Sequence, residues 1–319
     1  MEDYPRTLME LESRFSTEET CREYLTSLRW PNGFVCPHCG GTTSWPVGKA
    51  LRECSECHRQ TSITAGTIFE RTRTPLPVWF RAIWWVVTQK NGASALGLQR
   101  ILGLGSYETA WTWLHKIRQA MIVPGRSRLA GEIEVDETYL GGLEEGVAGR
   151  ETYKKAMVVI AAQVDGSRIG RIRMRRIPDA SGESLLPFVT EMIEPGSLVH
   201  TDGWQAYNGV SESGYRHKVT VLRQSASSAS ELLPRVHRVA SLLKRWILGT
   251  HQGAVSPEHL DGYLDEFTFR FNRRTSASRG KLFYRLLQNA MTTGPAPYKD
   301  IAKGIRGGPE HRPRRRGSP

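Results

Sequence analysis

The sequence predicts a multidomain α/β chain, and three observations carry that prediction. Two cysteine pairs, Cys36-x-x-Cys39 and Cys54-x-x-Cys57, mark a small module near the start. Three short helical segments with glycine-containing turns follow between Pro75 and Met121. Beyond Gly131 the chain alternates strands with amphipathic helices, and two of the strands end near an aspartate. The length of 319 residues suits two or more domains at about 150 residues each.

Residues 8 to 28 read as helix with a break and cap near Ser16. The cysteine pairs come next, separated by strand-like pieces. Two knuckles at this spacing place four thiolates tetrahedrally around one Zn²⁺, with Zn–S near about 2.3 Å. Cys36, Cys39, Cys54 and Cys57 are therefore expected to hold a structural zinc in a zinc ribbon, and Gly40 suits the turn after the first pair. His38 and His58 stand nearby as alternative ligands. The other reading, a pair of redox motifs, lacks the thioredoxin-like surroundings it would need. Cys21 is isolated on a predicted helix and is expected in the core.

VWFRAIWWVVTQK, NGASALGLQRILG and SYETAWTWLHKIRQAM follow as helices. The second is opened by Asn91 and closed by Gly103, and the third is capped by Ser106. The pattern is helix-turn-helix-like, and its third helix offers Thr112, His115, Lys116 and Arg118 to DNA. The plainer alternative is a packing unit with Trp79, Trp84, Trp85, Trp111 and Trp113 in its core.

After a linker at 123–131, GEIEVDETYLGG holds a short strand ending near Asp136. KKAMVVIAAQVDG and SRIGRIRMRRI form a hairpin around the Asp165-Gly166 turn. SGESLLPFVTEMI is a helix, GSLVHTDGW a strand ending at Asp202, and HKVTVL another strand. RVHRVASLLKRWILGTHQG and SPEHLDGYLDEFTFRFNRR close the domain as helices. This order is the plan of a ribonuclease-H-like domain. Two strand-end carboxylates with one more ligand can hold two Mg²⁺ roughly 4 Å apart for in-line attack at phosphorus. Glu134 and Glu137 flank Asp136 and are read as bystanders pointing away from it. Trp204 and Tyr207 are read as core residues in preference to base-stacking ones. Lys244, Arg245, Arg273 and Arg274 are candidate phosphate contacts.

A net charge of +12 suits a polyanionic partner, nucleic acid before an acidic membrane. The start, MEDYPRTLMELESRF, lacks the apolar stretch of a signal peptide, and no apolar run is long enough to cross a bilayer. A cytoplasmic protein with reduced cysteines is expected.

The motifs CPHCG with CSECH, EVDETYLGG, HTDGWQAY, SLLKRWILGTHQGAV and HLDGYLDEFTFRFNRR together resemble the IS1595-type, ISXO2-like insertion-sequence transposases over nearly the whole chain. The resemblance implies a DDE-type catalytic domain that cuts and joins DNA strands, with Asp136 as its first aspartate and Asp202 as its second. Many relatives carry a glutamate in a motif like VEGFxSLLKR. Laid on that motif, this sequence has His237 at the glutamate and keeps Lys244, 35 positions and more beyond Asp202. The family varies at this position, histidine included.

His237 and Lys244 lie about 20° apart around a helix, so one could bind metal while the other holds a phosphate. A neutral imidazole suits Mn²⁺ better than Mg²⁺. The expected domains are an N-terminal helix and zinc ribbon (1–72), a helical DNA-binding module (75–122), the catalytic domain (130–290) and a basic flexible tail (291–319). Double-stranded DNA is the expected partner, as terminal inverted repeats and target, handled by a homo-oligomer at the bacterial nucleoid. The rival readings are a transposase-derived DNA-binding protein without catalysis, and a metal-dependent nuclease without strand transfer.

Overall fold

The computed structural model describes residues 2–123, 125–141, 155–220, 229–253 and 255–305. The chain forms two compact units. One combines the residues up to Val123 with those from Ser276 onward, and the other spans Pro124–Thr275.

The first unit begins with α1 (Leu8–Arg14) and α2 (Glu18–Arg29), capped by the hydroxyls of Thr7 and Thr17. The break between them falls where the sequence places it. An antiparallel ribbon follows, β1 (Ser44–Val47), β2 (Leu51–Cys54) and β3 (Gln60–Ser62), in that spatial order. Then come α3 (Leu76–Thr88), α4 (Ala95–Leu102) and α5 (Tyr107–Met121). Ser94, three residues beyond the expected Asn91, caps α4 through the N–H of Gly97. Gly103 ends α4 at φ 62°, a left-handed conformation that glycine adopts without strain. Ser106 caps α5 as expected. Trp79, Trp84 and Trp113 are buried, and the rings of Trp79 and Trp113 stack at 3.7 Å.

The second unit is built on one five-stranded sheet. Its strands are β4 (Glu132–Leu140), β5 (Ala156–Asp165), β6 (Arg168–Ile177), β7 (Leu198–Asp202) and β8 (Arg216–Thr220). They lie in the order β6-β5-β4-β7-β8. β4, β5 and β6 pair antiparallel, whereas β4, β7 and β8 run parallel. This order, 3-2-1-4-5 with the second strand reversed, is that of the ribonuclease-H-like fold, as the element order predicts. α6 (Gly182–Met192) packs on one face over Val135, Val159 and Val199. A short α7 (Ala229–Leu232) leads into α8 (Pro234–His251), and α9 (Leu260–Asn272) follows. α8 and α9 cover the other face, over Val158, Ile160 and Ile172. β5 is covered on both sides, which is why AMVVIAAQV reads as a continuous apolar run instead of an alternating one.

β4 departs from the sequence reading. It does not stop near Asp136 but runs on to Leu140, because β5 continues to pair with it as far as Leu140 with Ala156. Asp136 is therefore mid-strand.

The chain then returns to the first unit. α10 (Arg279–Thr292) packs on α2, α3 and α5, burying Leu282, Phe283, Leu286 and Leu287. Phe283 meets Phe80 and Trp84 with ring centroids 5.6 and 5.7 Å away. The sequence reading assigns this helix to the catalytic domain. An amphipathic stripe shows that a helix is covered but not by what, and here the cover comes from the aromatic residues of α1 to α3. The zinc ribbon and helical module, expected as separate domains, share this unit. Part of the expected flexible tail is also structured: α11 (Tyr298–Ile301) contacts α5 and buries Ile301. The arginine-rich end, 306–319, lies outside the described residues.

Candidate metal and catalytic sites

The four cysteines converge in the first unit. Each pair closes the same backbone turn: the N–H of Gly40 donates to Cys36 O at 2.9 Å, and that of His58 to Cys54 O at 3.0 Å. The fifth residue of each turn takes a positive φ, Gly40 at 84° and His58 at 53°. The four sulfurs lie within 4.8 Å of one another. The closest pairs are Cys36 with Cys57 at 3.7 Å and Cys39 with Cys54 at 3.5 Å. Burial pushes the Cys36 thiol up, but the N–H groups of His38 and Cys39 and the neighbouring thiols of Cys39 and Cys57 outweigh it and bring it below its ordinary value. A closed set of four thiolates fits a structural Zn²⁺. His38 and His58 are outside it, pairing with Arg59 and Glu53. Cys21 is buried in the core, and burial pushes its thiol up to about 12. A separate cavity of about 660 Å³ lies between α2 and the ribbon, lined by Glu18, Arg22, Trp30 and Lys49, and touches none of these ligands.

In the second unit the sheet register sets the site. Glu134 on β4 lies beside His200 on β7, and the two strands are parallel. Two residues further along each strand stand Asp136 and Asp202, so both carboxylates occur at the same level of neighbouring strands and on the same face. That face is the one covered by α8. His237, in the first turn of α8, sets its Nε2 3.7 Å from Asp136 Oδ2. Burial lowers the His237 pKa against the opposing pull of Glu134 and Asp202, and Lys244 lowers it further. A lowered value favours the neutral imidazole, the form that can ligate a metal. Asp136, Asp202 and His237 form a looser set than the sulfurs, which are the one group of three or more such ligands within 4.8 Å among the described residues.

The neighbours of Asp136 correct the sequence reading. Glu134 is two residues away and therefore shares its face; only Glu137 points to the other side. There Glu137 accepts a hydrogen bond from Tyr207 Oη at 3.0 Å. Tyr207 is fully buried, as expected of a core residue. Trp204 stays partly exposed, its backbone N–H donating to Asp202 Oδ1 at 3.0 Å and its indole to Ala180 O at 2.7 Å. Glu134 is 2% exposed and caps α8. Its Oε2 accepts from the N–H of Arg235 at 2.7 Å and of Val236 at 2.9 Å. The signal that could have found it is in the sequence: Leu233-Pro234 opens α8 with no capping side chain.

The expected DNA contacts divide. Lys244 and Arg245 are exposed on α8. His115 and Arg118 are not available: they are 5% and 1% exposed, lying close together on the buried side of α5. Lys116 is half-buried, and burial lowers its pKa against the pull of Glu70. Their positions on α5 are taken up by packing within the first unit. Arg273 and Arg274 stack on Phe269 and Phe271 at 4.2 and 4.1 Å, and Arg274 donates to the carbonyls of Ile169 and Gly170. Arg274 therefore ties the end of α9 to β6, whereas Arg273 packs back along α9 itself.

Residues 128–272 match the family model of the ISXO2-like transposase domain, and residues 16–60 that of the transposase zinc-ribbon domain. The two together span more than half of the chain. The chain belongs to the ISXO2-like transposase family. A protein of the transposable element ISH50 from Halobacterium salinarum is 28% identical over 280 residues, covering 80% of this chain and 91% of that relative. The catalytic core domain of BIV integrase aligns with 47% of this ISXO2-like chain and 89% of its own, at 14% identity and a TM-score of 0.33. The strand order, rather than that likeness, carries the fold assignment. Among the described residues no helix is long and apolar enough to cross a membrane.

Proposed function

We propose that this chain is a transposase that cuts DNA at the ends of its own insertion element and joins them to target DNA, using Asp136, Asp202 and His237 as the metal-holding set. The observation that carries the reading is the register of β4 and β7, with His237 Nε2 3.7 Å from Asp136. Two carboxylates and a neutral imidazole fit a divalent cation, and the nitrogen donor favours Mn²⁺ over Mg²⁺. Such a metal, when bound, activates the attacking oxygen and stabilises the leaving one. The protein's own part is to hold the phosphodiester in line, for which Lys244 and Arg245 on the exposed side of α8 supply cations. Zn²⁺ on the four cysteines is structural, and the first unit recognises the terminal inverted repeats. Joining two ends calls for a homo-oligomer, working at the bacterial nucleoid.

The test is a cleavage and strand-transfer assay on labelled DNA carrying the element ends, with Mg²⁺ or Mn²⁺. Asp136→Ala and Asp202→Ala are expected to lose activity by about 10³-fold, the equivalent of several kcal/mol of charge stabilisation. His237→Ala is expected to lose at least about tenfold, with Mn²⁺ supporting the wild type better than Mg²⁺. Wild-type protein that binds the ends but cuts in no divalent metal would instead identify a DNA-binding protein without catalysis. Products that end as nicks and are never joined would identify a nuclease.

A further inference from the structure

We propose that Glu134 is a positioning residue: it fixes the start of α8, and through it His237, against the strand that carries Asp136. The inference rests on the reading of Asp136, Asp202 and His237 as the metal-holding set.

A helix begins with N–H groups that have no partner inside it. In α8 the cap position is Leu233, whose side chain accepts nothing, and the first helical residue is Pro234, which has no N–H. The next two donors are the backbone N–H groups of Arg235 and Val236, the pair that a capping Asp or Ser would ordinarily take. Both go to Glu134 Oε2. The other oxygen, Oε1, accepts from Arg235 Nη1 at 3.0 Å. Arg235 also donates through Nη2 to Gly166 O at 2.6 Å, which ties the same arginine to the β5–β6 turn. The cap of this helix thus comes from about 100 residues upstream. A carboxylate buried this deeply is costly unless it is paired and hydrogen-bonded, and here three donors and the positive end of the helix dipole meet it.

The placement gives the bond its consequence. Glu134 and Asp136 are neighbours on one face of β4, and Val236 and His237 are neighbours in the first turn of α8. Fixing Glu134 to Val236 therefore fixes Asp136 relative to His237. Each helical residue turns the face by about 100°, so a small slip or rotation of α8 would carry the imidazole away from the carboxylate.

The experiment uses the zinc-loaded full chain as wild type, Glu134→Gln, Glu134→Ala, Arg235→Ala and Asp136→Ala. Mn²⁺ binding is followed without DNA by electron paramagnetic resonance of the free ion. The Mn²⁺ concentration for half-maximal DNA cleavage is then measured. Glu134→Ala is expected to raise both midpoints by about tenfold and to lower kcat, as loss of an outer support does at a metal site. Glu134→Gln keeps an oxygen for the backbone N–H groups and is expected to fall between wild type and Glu134→Ala. Arg235→Ala is expected to shift the midpoints in the same sense by less. Circular dichroism and zinc content certify the fold, and if Glu134→Ala does not fold, Glu134→Gln and Arg235→Ala carry the test. Folded variants with wild-type Mn²⁺ midpoints would overturn the inference, leaving Glu134 a purely stabilising residue. If Asp136→Ala binds Mn²⁺ like the wild type, the underlying reading fails, and the inference fails with it.

Discussion

The cysteine cluster and the proposed catalytic set of this chain are assembled in opposite ways. The four sulfurs come from 22 consecutive residues and converge through two copies of one tight turn, closed by Gly40 and His58. Asp136, Asp202 and His237 come from three elements spread over 102 positions, and the sheet register and a distant cap bring them together. The first set depends on local geometry and is closed to further ligands. The second depends on the sheet register and helix packing of the second unit. A metal cluster can be written into spacing; the proposed catalytic set rests on long-range contacts.

Removing zinc should break that comparison most severely. Structural zinc sites contribute on the order of 10 kcal/mol at neutral pH, more than a ribbon of three short strands can replace. Chelation, or Cys54→Ser, is expected to abolish hydrogen-exchange protection across 36–62 while the β4 and β5 amides keep theirs. Equal loss in both units would show that they fold as one.

A second perturbation strikes the first unit away from either site. A Cβ on Gly280 would stand 1.7 Å from Pro5 O, backbone against backbone. Gly280→Ala is expected to cost the first unit about 3 kcal/mol, the upper end for overpacking, read as a lower urea midpoint with the β4–β5 amides unaffected. An unchanged midpoint would mean that the Pro5 segment gives way freely.

The smallest effect sharpens the second unit. His200 and His217 donate to or accept from the hydroxyls of Thr220 and Thr201. Burial holds both below the ordinary histidine value of 6.5, with Lys218 adding to the effect at His200. As pH falls through 6.5 the unfolded chain takes up protons that the folded chain refuses, so stability is present above that pH and is lost below it. In the absence of added Mg²⁺ or Mn²⁺, the second unit's urea midpoint should decline from pH 7 to pH 5.5. A flat profile would show that these rings protonate without penalty.

What was legible in the sequence follows the same division. The cysteine site, the break between α1 and α2, the Ser106 cap, the Asp165-Gly166 hairpin and the succession of strands and helices along the chain all rest on short-range patterns. The long-range features were not legible. The length of β4 past Asp136 depends on its pairing with β5, and the partner of α10 depends on aromatic residues some 200 positions earlier. His115 and Arg118 looked available because charge suggests exposure, yet α5 is packed on nearly every side. Glu134 shows a different failure. Alternation alone puts it on the face of Asp136, and a helix opening with Leu-Pro asks for a cap from elsewhere.

The return of α10 has a consequence for synthesis. A ribosome makes the ribbon and α3 to α5 first, then the entire second unit, and only afterwards Phe283 and Leu286. At about 5–20 residues per second, Phe80 and Trp84 wait on the order of ten seconds for their cover. The unit begun first is thus completed last. A premature stop codon between the end of α5 and Leu282 would leave its hydrophobic surface open, so such a truncated product is expected to aggregate or be degraded.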